Sequence, residues 1–220
     1  FKAEAKTMAS LNHTIFVKVY DLGIHEQAIP FYSMDYLNGR SLEEILVTDG
    51  PLPLNQAIDI FLEVLDGLAY AHRNGIIHRD LKPGNIMLCT IDGTATVKVL
   101  DFGISKIIGT AARASQSLTY ADEIIGSPFY MSPEQCIGEE IDARSDIYSI
   151  GCTLYFMLTA LDCETLTQPT LEPATSTQSQ EIVSELSKGM QRILAKATAK
   201  DLNERYIDCV ALEADLTSLR

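Results

Sequence analysis

The stretch GIIHRDLKPGNIML, residues 75–88, sets a basic and acidic cluster and an asparagine between two apolar runs. On its upstream side, Ile58, Phe61, Leu62, Leu65, Leu68 and Ala69 recur at intervals of three and four. That spacing predicts a helix over 54–73, stopped by Asn74-Gly75. On its downstream side, IMLC (86–89) and TVKVL (96–100) read as short strands joined across IDGT as a hairpin. A helix end and a strand therefore pin the loop between them.

Asp80 sits in that loop, so its carboxylate can be held rigidly at a cleft. Lys82 lies two positions on and brings a cation, and Asn85, five positions on, brings a neutral oxygen ligand. A proton acceptor, a cation and a metal-ligating oxygen are the parts that phosphoryl transfer needs, because its catalysis is mostly positioning and charge neutralisation. The bland alternative is a surface turn that carries these residues by accident, and so many fixed positions make that a rare event. DFG at 101–103 follows an apolar strand, and a carboxylate at a strand end suits Mg²⁺. By itself DFG is ordinary turn chemistry; 21 residues after Asp80, with a hairpin between, it gains weight.

Outward from this centre, residues 1–11 read as an amphipathic helix with Phe1, Ala5, Met8 and Leu11 on one side. VKVYDLG (17–23) and IPFYSMDY (29–36) read as strands turning at HEQ, and NGR (38–40) breaks the pattern. Ser41 is the expected N-cap of a short helix in SLEEIL. Residues 101–134, rich in Gly, Ser and Thr, read as a long loop, and 144–159 as an apolar helix. The polar stretch 162–179 reads as loop, with helices expected over 181–199 and 208–219.

The 220 residues suffice for one sizeable core or two small lobes, and 46% hydrophobic content argues against long disorder. A net charge of −13 argues against broad nucleic-acid binding, though not against a local phosphate site. Five scattered cysteines without a CxxC pair, and four histidines without HExxH spacing, argue against zinc and disulfides and for a reducing cytoplasm. No signal peptide opens the chain, and the apolar run 147–160 is too short for a membrane span. The chain opens on Phe1 within a helical pattern, so it is expected to be a piece of a longer protein.

With GSPFYMSPE (126–134), DARSDIYSIG (142–151) and NERY (203–206) in order behind DFG, the chain resembles the eukaryotic-like protein kinases, most of all the bacterial serine/threonine kinases. The resemblance covers almost the whole chain. It implies an α+β, two-lobe kinase fold with an incomplete N-lobe over 1–37 (a helix, two strands and the hinge) and a mostly helical C-lobe over 38–220. Its function would be transfer of the ATP γ-phosphoryl group to Ser/Thr hydroxyls of proteins, with Mg²⁺, or Mn²⁺ in its place. Asp80 would accept or orient the hydroxyl proton, Lys82 would steady the phosphoryl group, and Asn85 and Asp101 would hold the metal. Glu4 matches the Glu that pairs with the ATP-contacting Lys. Met34 would be the gatekeeper, Asp35 and Leu37 would face the adenine, and Met87 would lie beneath it. Ser127 occupies the place of the Thr that contacts the catalytic Asp, Arg205 would pair with Glu134, and Asp146 belongs to the helix that anchors the catalytic loop. Met8, Val19, His78 and Phe102 would form the regulatory spine, for which ordinary core packing is an equal reading. Arg79 before Asp80 suggests control by phosphorylation at Thr110, Ser115, Ser117 or Thr119, with solvated loop hydroxyls as the even alternative. The resemblance further implies self-association for autophosphorylation and a cytoplasmic place, with any membrane anchor outside this region.

The pattern departs in two places. No Gly-rich loop and no VAIK-type lysine precede Glu4, and Lys2 and Lys6 share its helix rather than facing it, so the chain as it stands is expected to turn over little. Residues 161–180 are short and polar where a substrate-docking helix belongs, from abbreviation or from degeneracy. The rival reading is a pseudokinase or scaffold that binds partners without catalysis. It is disfavoured because Asp80, Lys82, Asn85 and Asp101 are all present. A small-molecule phosphotransferase is disfavoured by SPE, DIYSIG and Arg205, and a serine hydrolase by the lack of GxSxG.

Overall fold

The computed structural model describes residues 11–25, 29–91, 93–100, 128–161 and 186–220. Strands β1 (Val19–His25) and β2 (Ile29–Met34) pair antiparallel from Val19↔Met34 to His25↔Ile29, as their β-branched and aromatic content predicts. A second sheet is built in the order β3 (Gly39–Ser41), β4 (Ile86–Ile91), β5 (Thr94–Val99). Here the structure corrects the sequence reading, because NGR does not simply break the pattern: Gly39 and Arg40 begin β3 and pair with Cys89 and Leu88 of β4. Propensity gave no sign of it, since the strand exists only through its partner. Glycine is required at 39, where a Cβ would meet the Leu88 carbonyl oxygen at 2.3 Å. The segment before β1 joins this sheet too, with Val99 N donating to Ile15 O at 2.9 Å.

Helix α1 (Leu42–Asp49) starts at Ser41 with a capping box: Ser41 Oγ accepts from Glu44 N (3.1 Å), and Glu44 Oε2 accepts from Ser41 N (2.9 Å). Helix α2 (Leu54–Arg73) has the expected bounds, and Gly75 takes the left-handed φ of 72° that lets the chain turn out of it. Its apolar stripe, with Ile58, Phe61, Leu65 and Leu68, is fully buried. Each such side chain contributes about 1.5–3 kcal/mol.

A short 3-10 turn at Pro83–Asn85 leads from the loop of interest into β4. Within the expected loop 101–134, the described part holds a 3-10 turn, Pro128–Tyr130, and the start of helix α3 (Pro133–Ile137). Proline at the first helical position and Gln135 Oε1 accepting from Ser132 N (3.1 Å) start this helix inside a stretch that lacks apolar periodicity. Helix α4 (Ala143–Thr159) is buried on almost every side and packs against α2 and against α5 (Lys188–Ala197). That is the expected fate of a helix apolar all round. Of the expected helix over 181–199, residues 181–185 lie outside the described residues; α5 starts where Ser187 accepts from Met190 N, and the chain leaves it at Thr198. Helix α6 (Cys209–Thr217) closes the core on α2. The expected helix over 1–11 and the polar loop 162–179 lie outside the described residues, apart from Leu11, which is not helical. No helix among the described residues is long and apolar enough to cross a membrane.

Candidate active site

The loop between α2 and β4 is held from beneath by one buried carboxylate. Asp146, in the first turn of α4, accepts from Arg79 N through Oδ1 (2.8 Å) and from His78 N through Oδ2 (2.8 Å). Its Oδ2 also accepts from His72 Nε2 at 2.8 Å. A fully buried carboxylate needs such donors, and here two of them are the backbone of the loop itself. Arg79 adopts a positive φ of 69°, which costs a residue with a Cβ roughly 1–2 kcal/mol. The surroundings fix it at both ends: its N–H binds Asp146, and its carbonyl accepts from Gln135 Nε2 of α3 at 2.9 Å. His78 is fully buried, donates from Nε2 to Leu100 O (2.8 Å) and accepts at Nδ1 from Asp80 N (3.3 Å).

On this support Asp80, Lys82 and Asn85 come together. Lys82 Nζ lies 3.3 Å from Asp80 Oδ2, with the two side chains 28% and 16% exposed, so both are partly desolvated yet reachable. Asn85 Nδ2 donates to Asp80 O (2.7 Å) and to Asp80 Oδ2 (3.1 Å). That bond turns the amide nitrogen toward Asp80 and the amide oxygen away from it. Asn85 O in turn accepts from Leu100 N at 2.8 Å, so the last described residue before Asp101 is tied to both Asn85 and His78. Among the described residues the loop offers a carboxylate and an amide oxygen, and such oxygen donors fit a hard cation such as Mg²⁺ better than a softer metal.

Of the other residues singled out in the sequence, Met34 ends β2 and is 39% exposed. Asp35 N donates to Lys18 O (3.1 Å), and its carboxylate accepts from Tyr20 Oη. Leu37 is half-buried between β2 and β3, and Met87 is half-buried in β4 opposite Ser41. Val19 opens β1, half-buried. Glu4, Met8, Asp101, Phe102, Thr110, Ser115, Ser117, Thr119 and Ser127 lie outside the described residues.

Below the loop, Arg205 meets Glu134 as a buried fork: Nη1 to Oε1 at 2.7 Å and Nη2 to Oε2 at 2.9 Å. Its remaining donors reach Ala199 O, Arg144 O and Lys200 O, and its guanidinium stands 5.0 Å from the centre of the Tyr148 ring. Burial pushes the Glu134 carboxyl up, but hydrogen bonds from Arg205, Ser145 and the backbone outweigh it and hold it at about 2. Among the described residues, Cys89, Cys136 and Cys209 are free thiols.

Sequence reasoning missed Gln135 and His72. His72 carries no motif of its own, and although Gln135 closes an S-x-x-Q capping box with Ser132, its hold on the Arg79 carbonyl, like that of His72 on Asp146, spans more than 50 positions.

A profile described as the protein kinase domain matches residues 1–214. The serine/threonine-protein kinase PknB of Mycobacterium leprae is 40% identical over 227 aligned positions, covering 98% of this chain and 35% of its own length. PknB of Mycobacterium tuberculosis is 38% identical over 224, with the same coverage. The chain thus spans about a third of the length of these relatives. The crystal structure of the Mycobacterium tuberculosis PknI kinase domain superposes with a TM-score of 0.75 over 100% of this chain and 78% of that one, at 23% identity. That likeness is one of fold: α+β, with the two lobes of a kinase. By sequence profile, relatives and fold together, the chain belongs to the protein kinase domain family, among the bacterial serine/threonine-protein kinases.

Proposed function

We propose that this chain is the catalytic part of a protein serine/threonine kinase, with residues 1–37 in its N-lobe and 38–220 forming its C-lobe. The observation that carries the reading is the Asp80–Lys82–Asn85 cluster, held on a loop whose backbone is fixed by Asp146. Asp80 orients the attacking Ser/Thr hydroxyl and accepts its proton, and its carboxylate is partly exposed on the loop and so within reach of an incoming substrate. Lys82, beside it, neutralises charge on the transferring group. Asn85, with its amide oxygen turned from Asp80, and Asp101, which follows the tethered Leu100, are the residues that would hold Mg²⁺. With ATP bound, that cation supplies charge neutralisation on the phosphate oxygens.

Glu4, Met34, Asp35, Leu37 and Met87 are assigned to the nucleotide side of the site. Ser127 is assigned to the substrate side, with the Glu134–Arg205 pair bracing the segment that leads to it. Thr110, Ser115, Ser117 and Thr119 are assigned as regulatory phosphosites read by Arg79, phosphorylated in trans by a second copy. The partners are then ATP and a protein bearing a Ser/Thr acceptor, in the cytoplasm, where ATP is supplied.

The test is transfer of labelled γ-phosphate from ATP to a Ser/Thr-containing acceptor protein by the full protein and by its Asp80→Asn variant. Mg²⁺-dependent labelling that the variant abolishes supports the reading. Labelling that survives Asp80→Asn unchanged rejects Asp80 as the base, and ATP binding without any transfer returns the protein to the scaffold reading.

A further inference from the structure

His72, near the end of α2, has both ring nitrogens engaged in the interior. Nε2 lies 2.8 Å from Asp146 Oδ2, and Nδ1 lies 3.6 Å from the Sγ of Cys209, the first residue of α6. Asp146 Oδ2 is an acceptor for the His78 amide, so Nε2–H is the ring form that fits it, and in that tautomer Nδ1 offers a lone pair. The Cys209 thiol is 1% exposed, and burial, with Asp146, Asp208 and Glu213 adding to it, pushes its pKa well up. The thiol therefore keeps its proton and is placed to donate it. Were the ring to take the other tautomer, a lone pair at Nε2 would face the Asp146 oxygen that also receives the His78 amide.

We propose that Cys209 is a positioning residue for the catalytic loop: its Sγ–H, donated to His72 Nδ1, keeps His72 in the Nε2–H form and so keeps Asp146 seated under the His78 and Arg79 amides. Helix α6, far from Asp80 in the chain, thereby acts on the loop that carries it. The kinetic part of this inference rests on the kinase reading above; the tautomer part does not.

The experiment uses the full protein, labelled with ¹⁵N at histidine and along the backbone, as wild type, Cys209→Ala and Cys209→Ser. The wild type is expected to show His72 as neutral Nε2–H. In Cys209→Ala the tautomer signal and the His78 and Arg79 amide signals move, and kcat falls by about three- to tenfold, the scale of one hydrogen bond, at unchanged KM for ATP. Cys209→Ser keeps a donor and lies between the two. A proton on Nδ1 in the wild type overturns the proposal without any variant, so a failure of Cys209→Ala to fold leaves it decidable. Equally, Cys209→Ala with wild-type tautomer, amide signals and kcat overturns it. If the wild type transfers no phosphate at all, the kinase reading fails while the ring and amide signals still decide this one.

Discussion

Arg205 and Glu134 stand 71 residues apart in the chain and meet as a buried two-bond pair, at 2.7 and 2.9 Å, that joins α3 to the turn before α6. All five guanidinium protons have acceptors. Removing one partner leaves a buried charge uncompensated, at a cost of about 3–5 kcal/mol. Arg205→Ala is therefore expected to lower unfolding free energy by that amount in urea titration. Arg205→Lys, which cannot reproduce the fork, is expected to fall between wild type and the alanine variant. A loss below about 1 kcal/mol for Arg205→Ala would contradict the burial of the pair.

The same pair sets an acid limit. Glu134 is held at about 2 in the folded protein against an ordinary value of 4.5, so the unfolded chain binds its proton first as pH falls. The stabilisation is complete above pH 4.5 and is lost between there and about 2. Denaturant titrations of wild type and Glu134→Gln from neutral pH downward should show the gap between them narrowing only within that window. A gap independent of pH would mean that Glu134 is not ionised in the folded state.

Asp146→Asn replaces one acceptor oxygen with an NH₂ group among donors from His72, His78 and Arg79. The unpaired buried groups should cost about 2–4 kcal/mol of stability. The loop freed from its anchor should also lower kcat at least tenfold, through misplacement of Asp80. Thermal unfolding and steady-state kinetics on the same preparation separate the two effects.

Asp80→Asn is nearly isosteric, and the backbone contact from Asn85 to Asp80 O survives it. Stability should change by less than about 1 kcal/mol, and kcat should fall by roughly 10²–10⁴ with nucleotide affinity retained. Nucleotide affinity falling by as much as kcat would reassign Asp80 from base to ligand-binding residue.

Gln135→Ala removes the amide that holds the Arg79 carbonyl in its left-handed conformation. The expected result is a modest loss of stability, about 1 kcal/mol, with faster hydrogen exchange at the Arg79 and Asp80 amides. Exchange unchanged at both would show that Asp146 alone fixes the loop.

The sequence by itself determined the long elements and the local chemistry. Helix α2 keeps its predicted bounds because a stripe at 3.6-residue spacing needs only a surface to bury against, and the capping box at Ser41 is complete within four residues. The Asp80–Lys82–Asn85 cluster was legible for the same reason, since six consecutive positions supply all three groups. What the tertiary structure alone decided is whatever depends on a distant partner. Strand β3 forms at Gly39–Ser41 because β4 offers it a ladder, and Arg79 tolerates its φ because Asp146 and Gln135 hold both of its peptide groups. His72 reaches Asp146 across 74 positions and Cys209 across 137. Local periodicity and spacing record what neighbouring residues impose on one another; the placement of the loop that carries Asp80 is imposed by residues that only the folded core brings near.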